Sequence, residues 1–192
     1  SEFIKDGDIL QVTSLKGQFK NSGLNIKGQF DGSKEIINLQ GSVILDISDI
    51  AGPKYVGECI LDVEAFGPVK NYKNWNVKAV GRSKVLKCLD YTIKNVALNY
   101  NQAQRQGFVS SFSFDAYGGK GFIKGHVKFL DNTTTYSAKG ILQDIDLSLL
   151  KLNIPMKDKN FYGTGALNIS IQGKDSDLNS IKGNGAFVIK NG

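Results

Sequence analysis

FYGTGALNISIQGKDSDLNSIKGNGAFVIKNG, residues 161–192, reads as two β-strands joined by a polar turn. Leu167, Ile169 and Ile171 fall on one face of the first strand, with Asn168 and Ser170 on the other. After GKDSDLNS comes a second apolar run, Ala186 to Lys190, closed by Asn191-Gly192. Period-2 alternation bounded by Gly, Asn and Asp is the signature of strands. The glycine pairs Gly163/Gly165 and Gly183/Gly185 each precede a strand. A dinucleotide-binding glycine loop would instead follow a strand and open a helix. Glycines inside strands mark bends, bulges or close backbone approaches, which suits a strongly curved sheet.

The same grammar runs back through the chain. Residues 106–129 predict a hairpin in which Phe108, Ser110, Phe112 and Phe114 line one face and Ala116-Tyr117-Gly118-Gly119 turns. Asp131-Asn132 makes the next turn, Tyr136 to Ile145 the next strand, and Leu147 to Leu150 one helical turn before an Asn153–Lys159 loop. Nearer the N-terminus, residues 3–12 read as one strand. Turns follow at Asn21-Ser22-Gly23 and Asp31-Gly32-Ser33, then strands through Val43, Leu45 and Ile47 and through Cys59, Leu61 and Val63. "LDISDI" (45–50) mirrors "QDIDLSLL" (143–150), so both predict strand ends that turn into a short helix. Trp75 to Ala79 and Val85 to Asp90 read as two further strands. Val85, Leu89, Ile93 and Val96 have helical spacing, but Tyr91-Thr92-Ile93 favours β with a bend at Leu89-Asp90. "IKDG" (4–7) echoes "IKNG" (189–192), a four-residue trace of a repeat.

Three pieces taken together carry a resemblance: "YGTGALNISIQGKDSDLNSIKGNGAFVIKNG", "FSFDAYGGKGFIKGHVKF" (112–129) and "AKGILQDIDLSLL" (138–150). They are similar to the closing unit of the AsmA-like, TamB-type proteins of the bacterial envelope. Residues 85–192 carry most of the likeness, and residues 1–84 share only its style apart from "FGPVKNYKNWNVKAVG" (66–81). The resemblance implies an elongated β-groove that carries phospholipid across the periplasm between inner and outer membranes. It also implies an inner-membrane anchor outside residues 1–192, and an outer-membrane protein is a further possible partner.

Composition sets the bounds. The 192 residues are enough for a real core and include 22 glycines but only three prolines, one Met and one Trp, a β-rich usage. Turns every 8–12 residues predict an all-β chain with fewer than about a tenth of its residues in helix. No apolar run approaches the ~18 residues of a membrane helix. The chain reads as a single β-groove segment of a longer protein. Net charge is +6, with lysines spread one per strand or loop rather than in a basic stripe, which argues against nucleic acid. Cys59 and Cys88 either form a disulfide or lie free and buried, and the periplasmic expectation favours the bridge.

Catalytic chemistry is hard to find. The single histidine, His126, has no metal-ligand partners at usable spacing. Asp62/Glu64 and Asp144/Asp146 resemble acid–base pairs, but alternation with apolar residues explains them as solvent faces. "NTT" (132–134) matches a glycosylation acceptor, without weight in a bacterial-looking chain. No nucleophile–base pair, metal or cofactor signature stands out, and the expectation is a non-enzyme.

The sequence therefore predicts a strongly curved, mainly antiparallel sheet forming an open, taco-like groove with at most short helical turns. Such a sheet must shelter its apolar face, either by curling around acyl chains or by pairing with another sheet. Expected groove-lining residues are Leu45, Ile47, Leu61, Val63, Trp75, Val77, Phe112, Phe114, Val127, Phe129, Ile141, Ile145, Leu167, Ile169, Ile171, Phe187 and Ile189. In the rival reading the same residues form the closed core of a structural or adhesive β-sandwich that binds protein or glycan.

Overall fold

The computed structural model describes residues 2–150 and 162–190. Thirteen strands form one antiparallel sheet that does not close into a barrel. The strands are β1 Glu2–Asp6, β2 Ile9–Phe19, β3 Ser22–Asp31, β4 Ile36–Asp46, β5 Tyr55–Val56, β6 Glu58–Pro68 and β7 Asn76–Cys88. They continue as β8 Tyr91–Ala103, β9 Gln106–Ala116, β10 Gly119–Phe129, β11 Thr134–Asp146, β12 Thr164–Lys174 and β13 Lys182–Lys190. Their order in the sheet is their order in the chain, except that the two-residue β5 continues the line of β6 and pairs with β7. Short α1 (Ile47–Ala51) and α2 (Leu147–Leu150) sit at one end of the sheet, and 3-10 turns at Tyr72–Asn74 and Leu178–Ser180 at the other. The expected all-β, little-helix chain is what folds.

Turn chemistry accounts for this meander. Tyr117 and Gly118, with φ of 51° and 77°, make the tight hairpin between β9 and β10, and Gln104-Arg105 does the same between β8 and β9. The "LDISDI"/"LSLL" echo is structural. Asp46 accepts hydrogen bonds from the Ser48 N–H (2.9 Å) and hydroxyl (2.6 Å), and Asp146 does so from Ser148 (2.8 and 2.6 Å). Each carboxylate caps one helical turn. The next N–H in each case, Ile47 or Leu147, donates to a positive-φ glycine ahead of the following strand, Gly57 or Gly163. The same device thus closes two corners about a hundred residues apart.

Four details correct the sequence reading. Residues 3–12 are a hairpin, because Gly7 at φ 57° lets β1 reverse into β2. Residues 76–88 are one long strand where two were expected. Ser110 lies in a bulge, so Asn99 pairs with Ser111 while Tyr100 pairs with Val109, and Phe108 is turned to the face opposite Phe112. The cysteines are free and half-buried. Ile60 pairs with Arg82, and Cys88 lies six residues beyond it, so Cys59 and Cys88 are about 16 Å apart at strand rise, beyond disulfide reach. The expected Asn153–Lys159 loop lies outside the described residues.

Candidate functional site: the apolar face of the sheet

Residues paired across an antiparallel sheet point to the same side, so the register assigns every side chain to a face. Three rows cross the sheet on one side. The first is Leu24, Val43, Leu61, Gly81, Leu98, Phe112, Ile123, Gly140, Ile169 and Gly185. The second is Leu15, Ile26, Gly41, Val63, Ala79, Tyr100, Val109, Gly125, Ala138, Ile171 and Gly183. The third is Leu39, Ala65, Val77, Gln102, Gly107, Val127, Tyr136 and Gly173. No charged residue stands in any of the three. The opposite side carries Lys27, Asp62, Glu64, Lys78, Arg82, Lys124, Lys139 and their polar neighbours.

No second layer covers this face among the described residues. Among the described residues only Ala65, Val96, Ala116, Ile145 and Leu147 are buried apolar side chains. The chain exposes 12884 Å². A compact protein of its 20.9 kDa would expose about 9,000 Å². The excess is what an open, single-layer sheet leaves exposed. Exposure on the apolar face is greatest towards the two edges, at Phe3 and Leu15 on one side and Ile169, Phe187 and Ile189 on the other.

Glycines shape the face. Gly17, Gly121 and Gly173 each lie opposite a large residue, Leu24, Phe114 and Tyr136 respectively, whose side chain occupies the space above the glycine. A large residue laid over a cross-strand glycine fills the surface without raising it, and so keeps the face smooth. At Gly28, Gly41 and Gly119 a Cβ would strike a neighbouring strand's carbonyl, so the backbones approach more closely there than any other residue permits. Bulges at Asn95 (φ 51°) and Asp144 (φ 56°) add local bends.

Of the expected groove residues, the register puts Leu45, Leu61, Val63, Val77, Phe112, Phe114, Val127, Phe129, Ile145, Leu167, Ile169, Ile171, Phe187 and Ile189 on this one face. The Phe112 and Phe114 ring centroids stand 5.5 Å apart. Ile47 is instead the first residue of α1. Trp75 follows the Tyr72–Asn74 turn, donates from its indole N–H to the Pro68 carbonyl (2.7 Å) and lays its ring over Gly67 at the rim of the face. Ile141 is a correction. It pairs with Phe122 and Asn168 on the polar side, because the bulge at Asp144 changes the phase of β11 between Leu142 and Ile145. The sequence reading missed Leu98, Tyr100, Val109, Ile123 and Leu142. Alternation alone marks Leu98, Tyr100 and Ile123, whereas Val109 is hidden by the bulge at Ser110 and Leu142 by the one at Asp144.

The polar side holds the remaining candidates. His126 stacks on Phe108 with centroids 4.6 Å apart and its Nε2 lies 3.0 Å from Gln106 Oε1. Asp62 pairs with Arg82 at 2.9 Å on an exposed strand surface. Asp144 lies in the bulge and Asp146 caps α2. On the apolar side burial pushes the Cys59 thiol and the Tyr100 phenol above their ordinary values, the dry character of that face acting on both. No family of known proteins, curated protein or solved structure matches the chain.

Proposed function

We propose that the apolar face holds the acyl chains of phospholipids. In this reading the chain is a segment of a periplasmic AsmA-like protein, anchored to the inner membrane elsewhere, that supports lipid movement between inner and outer membranes and outer-membrane biogenesis. The observation that carries the proposal is the uncharged face spanning the sheet from β2 to β13, with no second layer over it among the described residues. Exposed apolar surface of this extent marks a binding site. An acyl chain that removed a few hundred Å² of it from water would gain several kcal/mol at ~25 cal/mol per Å², before ordering costs. A fluid chain needs no polar partner to fix its orientation, and the three rows offer almost none. The rival adhesive domain requires a dry, closed core, and exposures such as 45% at Ile169 and 43% at Phe187 speak against one.

Organic extraction of protein purified from bacterial cells, followed by mass spectrometry, tests the proposal. Phospholipid at a stoichiometric ratio to protein is the expected result. Protein free of lipid that also fails to bind a fluorescent fatty acid would overturn it.

A further inference from the structure

The polar side of β10–β13 has a character that the linear sequence conceals. Lys124 and Lys128 (β10), Lys139 (β11), Lys174 (β12) and Lys182 (β13) all point to it. The register brings them together in adjoining rows: Lys128, Thr135 and Lys174 in one, His126, Ser137, Gln172 and Lys182 in the next, and Lys124, Lys139, Ser170 and Asn184 in the third. At ordinary strand spacing this places the Cα atoms of the five lysines within a patch of about 14 by 14 Å. Lysines spaced through the chain become neighbours because each strand adds one or two at matching register.

Acids do not answer them within these rows. Asp144 and Asp146 lie at the α2 end, and Asp131, Asp175 and Asp177 lie in the turns at the other. Those turn carboxylates are engaged. Asp131 pairs with Arg105 at 2.7 Å, Asp175 accepts from the Thr134 N–H and the Thr133 hydroxyl and also feels the charge of the adjacent Lys174, and Asp177 accepts from the Asn179 N–H. Lys124 and Lys139 stand directly opposite each other, an arrangement of like charges that destabilises a sheet. A hollow of about 490 Å³ opens between Lys174 and Lys182, lined also by His126, Thr135, Ser137 and Gln172, without a carboxylate among them. Exposed apolar side chains border the patch on the same side, with Phe122 at 49% and Ile141 at 42%.

We infer that this face docks on an anionic phospholipid bilayer surface. It is the side opposite the apolar rows, and the inference does not depend on acyl-chain binding there. All five cations are lysines, compact point charges suited to diffuse headgroup phosphates, and none is the arginine whose planar fork reads nucleic-acid bases and phosphates. The neighbouring Phe122 and Ile141 are suited to the headgroup boundary, where apolar side chains insert beside lysines. A strand face of this breadth meets a planar surface more readily than it enters a duplex groove, which takes a helix or a two-stranded ribbon.

Flotation of the purified chain with phosphatidylcholine vesicles, with and without a one-third fraction of phosphatidylglycerol, tests this. Binding is expected on the phosphatidylglycerol vesicles, lost at high salt. It should weaken by about tenfold or more in Lys139→Glu combined with Lys182→Glu. Lys139→Glu alone replaces the like-charge pair with Lys124 by an opposite one, so its melting temperature should hold or rise while vesicle binding falls. Lys16→Glu with Lys27→Glu, on the same side in β2 and β3, should leave vesicle binding unchanged. Equal binding to both kinds of vesicle would overturn the inference, as would unchanged binding in the folded double variant. Tighter binding to an oligonucleotide than to the anionic vesicles at the same salt would overturn it too.

Discussion

The Phe114 ring of β9 lies over Gly121, its direct partner on β10, in the space that a Cβ at residue 121 would need. A side chain there would displace the ring from the apolar face. Gly121→Ala is expected to lower stability by about 1–3 kcal/mol, the usual cost of overpacking. In urea unfolding, the double variant with Phe114→Ala should be less destabilised than the sum of the two singles, because removing the ring relieves the collision.

Phe112 and Phe114 share the open face, with no second layer above them among the described residues. A carboxylate placed there stays within reach of water, whereas in a closed core it would cost several kcal/mol. Phe112→Asp and Phe114→Asp should therefore keep most of the melting temperature and lose binding of a fluorescent fatty acid. Unfolding of both variants would indicate a sealed core in solution.

Leu147, at 0% exposure, is among the most deeply buried side chains of the described residues and reaches over Gly165 from the single turn of α2. Leu147→Ala should cost about 2–5 kcal/mol, as for other fully buried leucines. Phe187→Ala, on the same face at 43% exposure, should cost less. Chemical denaturation of the two variants in parallel gives the comparison.

Acid should destabilise the chain through carboxylates held as anions by local donors. The Ser33 hydroxyl and then Lys34 draw the Asp31 carboxyl down to about 2, Ser48 lowers Asp46, the Thr134 N–H lowers Asp175, and Arg105 lowers Asp131. Each folded-state value lies below the unfolded value of about 4, so each contribution is present above pH ~4 and is lost as pH falls through the folded value. The melting temperature should be flat above pH ~5 and fall between about 4 and 2. Asp31→Asn should flatten the lower part of that fall.

Both thiols should take up alkylating reagent without prior reduction, giving the same intact mass with and without reductant, since the two cysteines are unbridged. Burial raises the Cys59 thiol above its ordinary value, so less thiolate is present at neutral pH and its modification should be slower than that of an unhindered thiol.

The all-β, mainly antiparallel character, most of the strands and most of the apolar residues were legible in the linear chain, because alternation and turn residues are local physics. Ala116-Tyr117-Gly118-Gly119 announces its hairpin wherever it occurs, and Asp-x-Ser announces the corners at Asp46 and Asp146. Phase was legible only between bulges. One extra residue at Ser110 or near Asp144 sends every later side chain to the other face, which is why Phe108 and Ile141 stand on the polar side. Tertiary structure alone decided three things: that no second layer among the described residues covers the apolar face, that Cys59 and Cys88 lie out of bonding reach, and that lysines spread from residue 124 to residue 182 converge on one patch. Each depends on register between strands far apart in the chain, and register is set by the whole sheet rather than by any one strand.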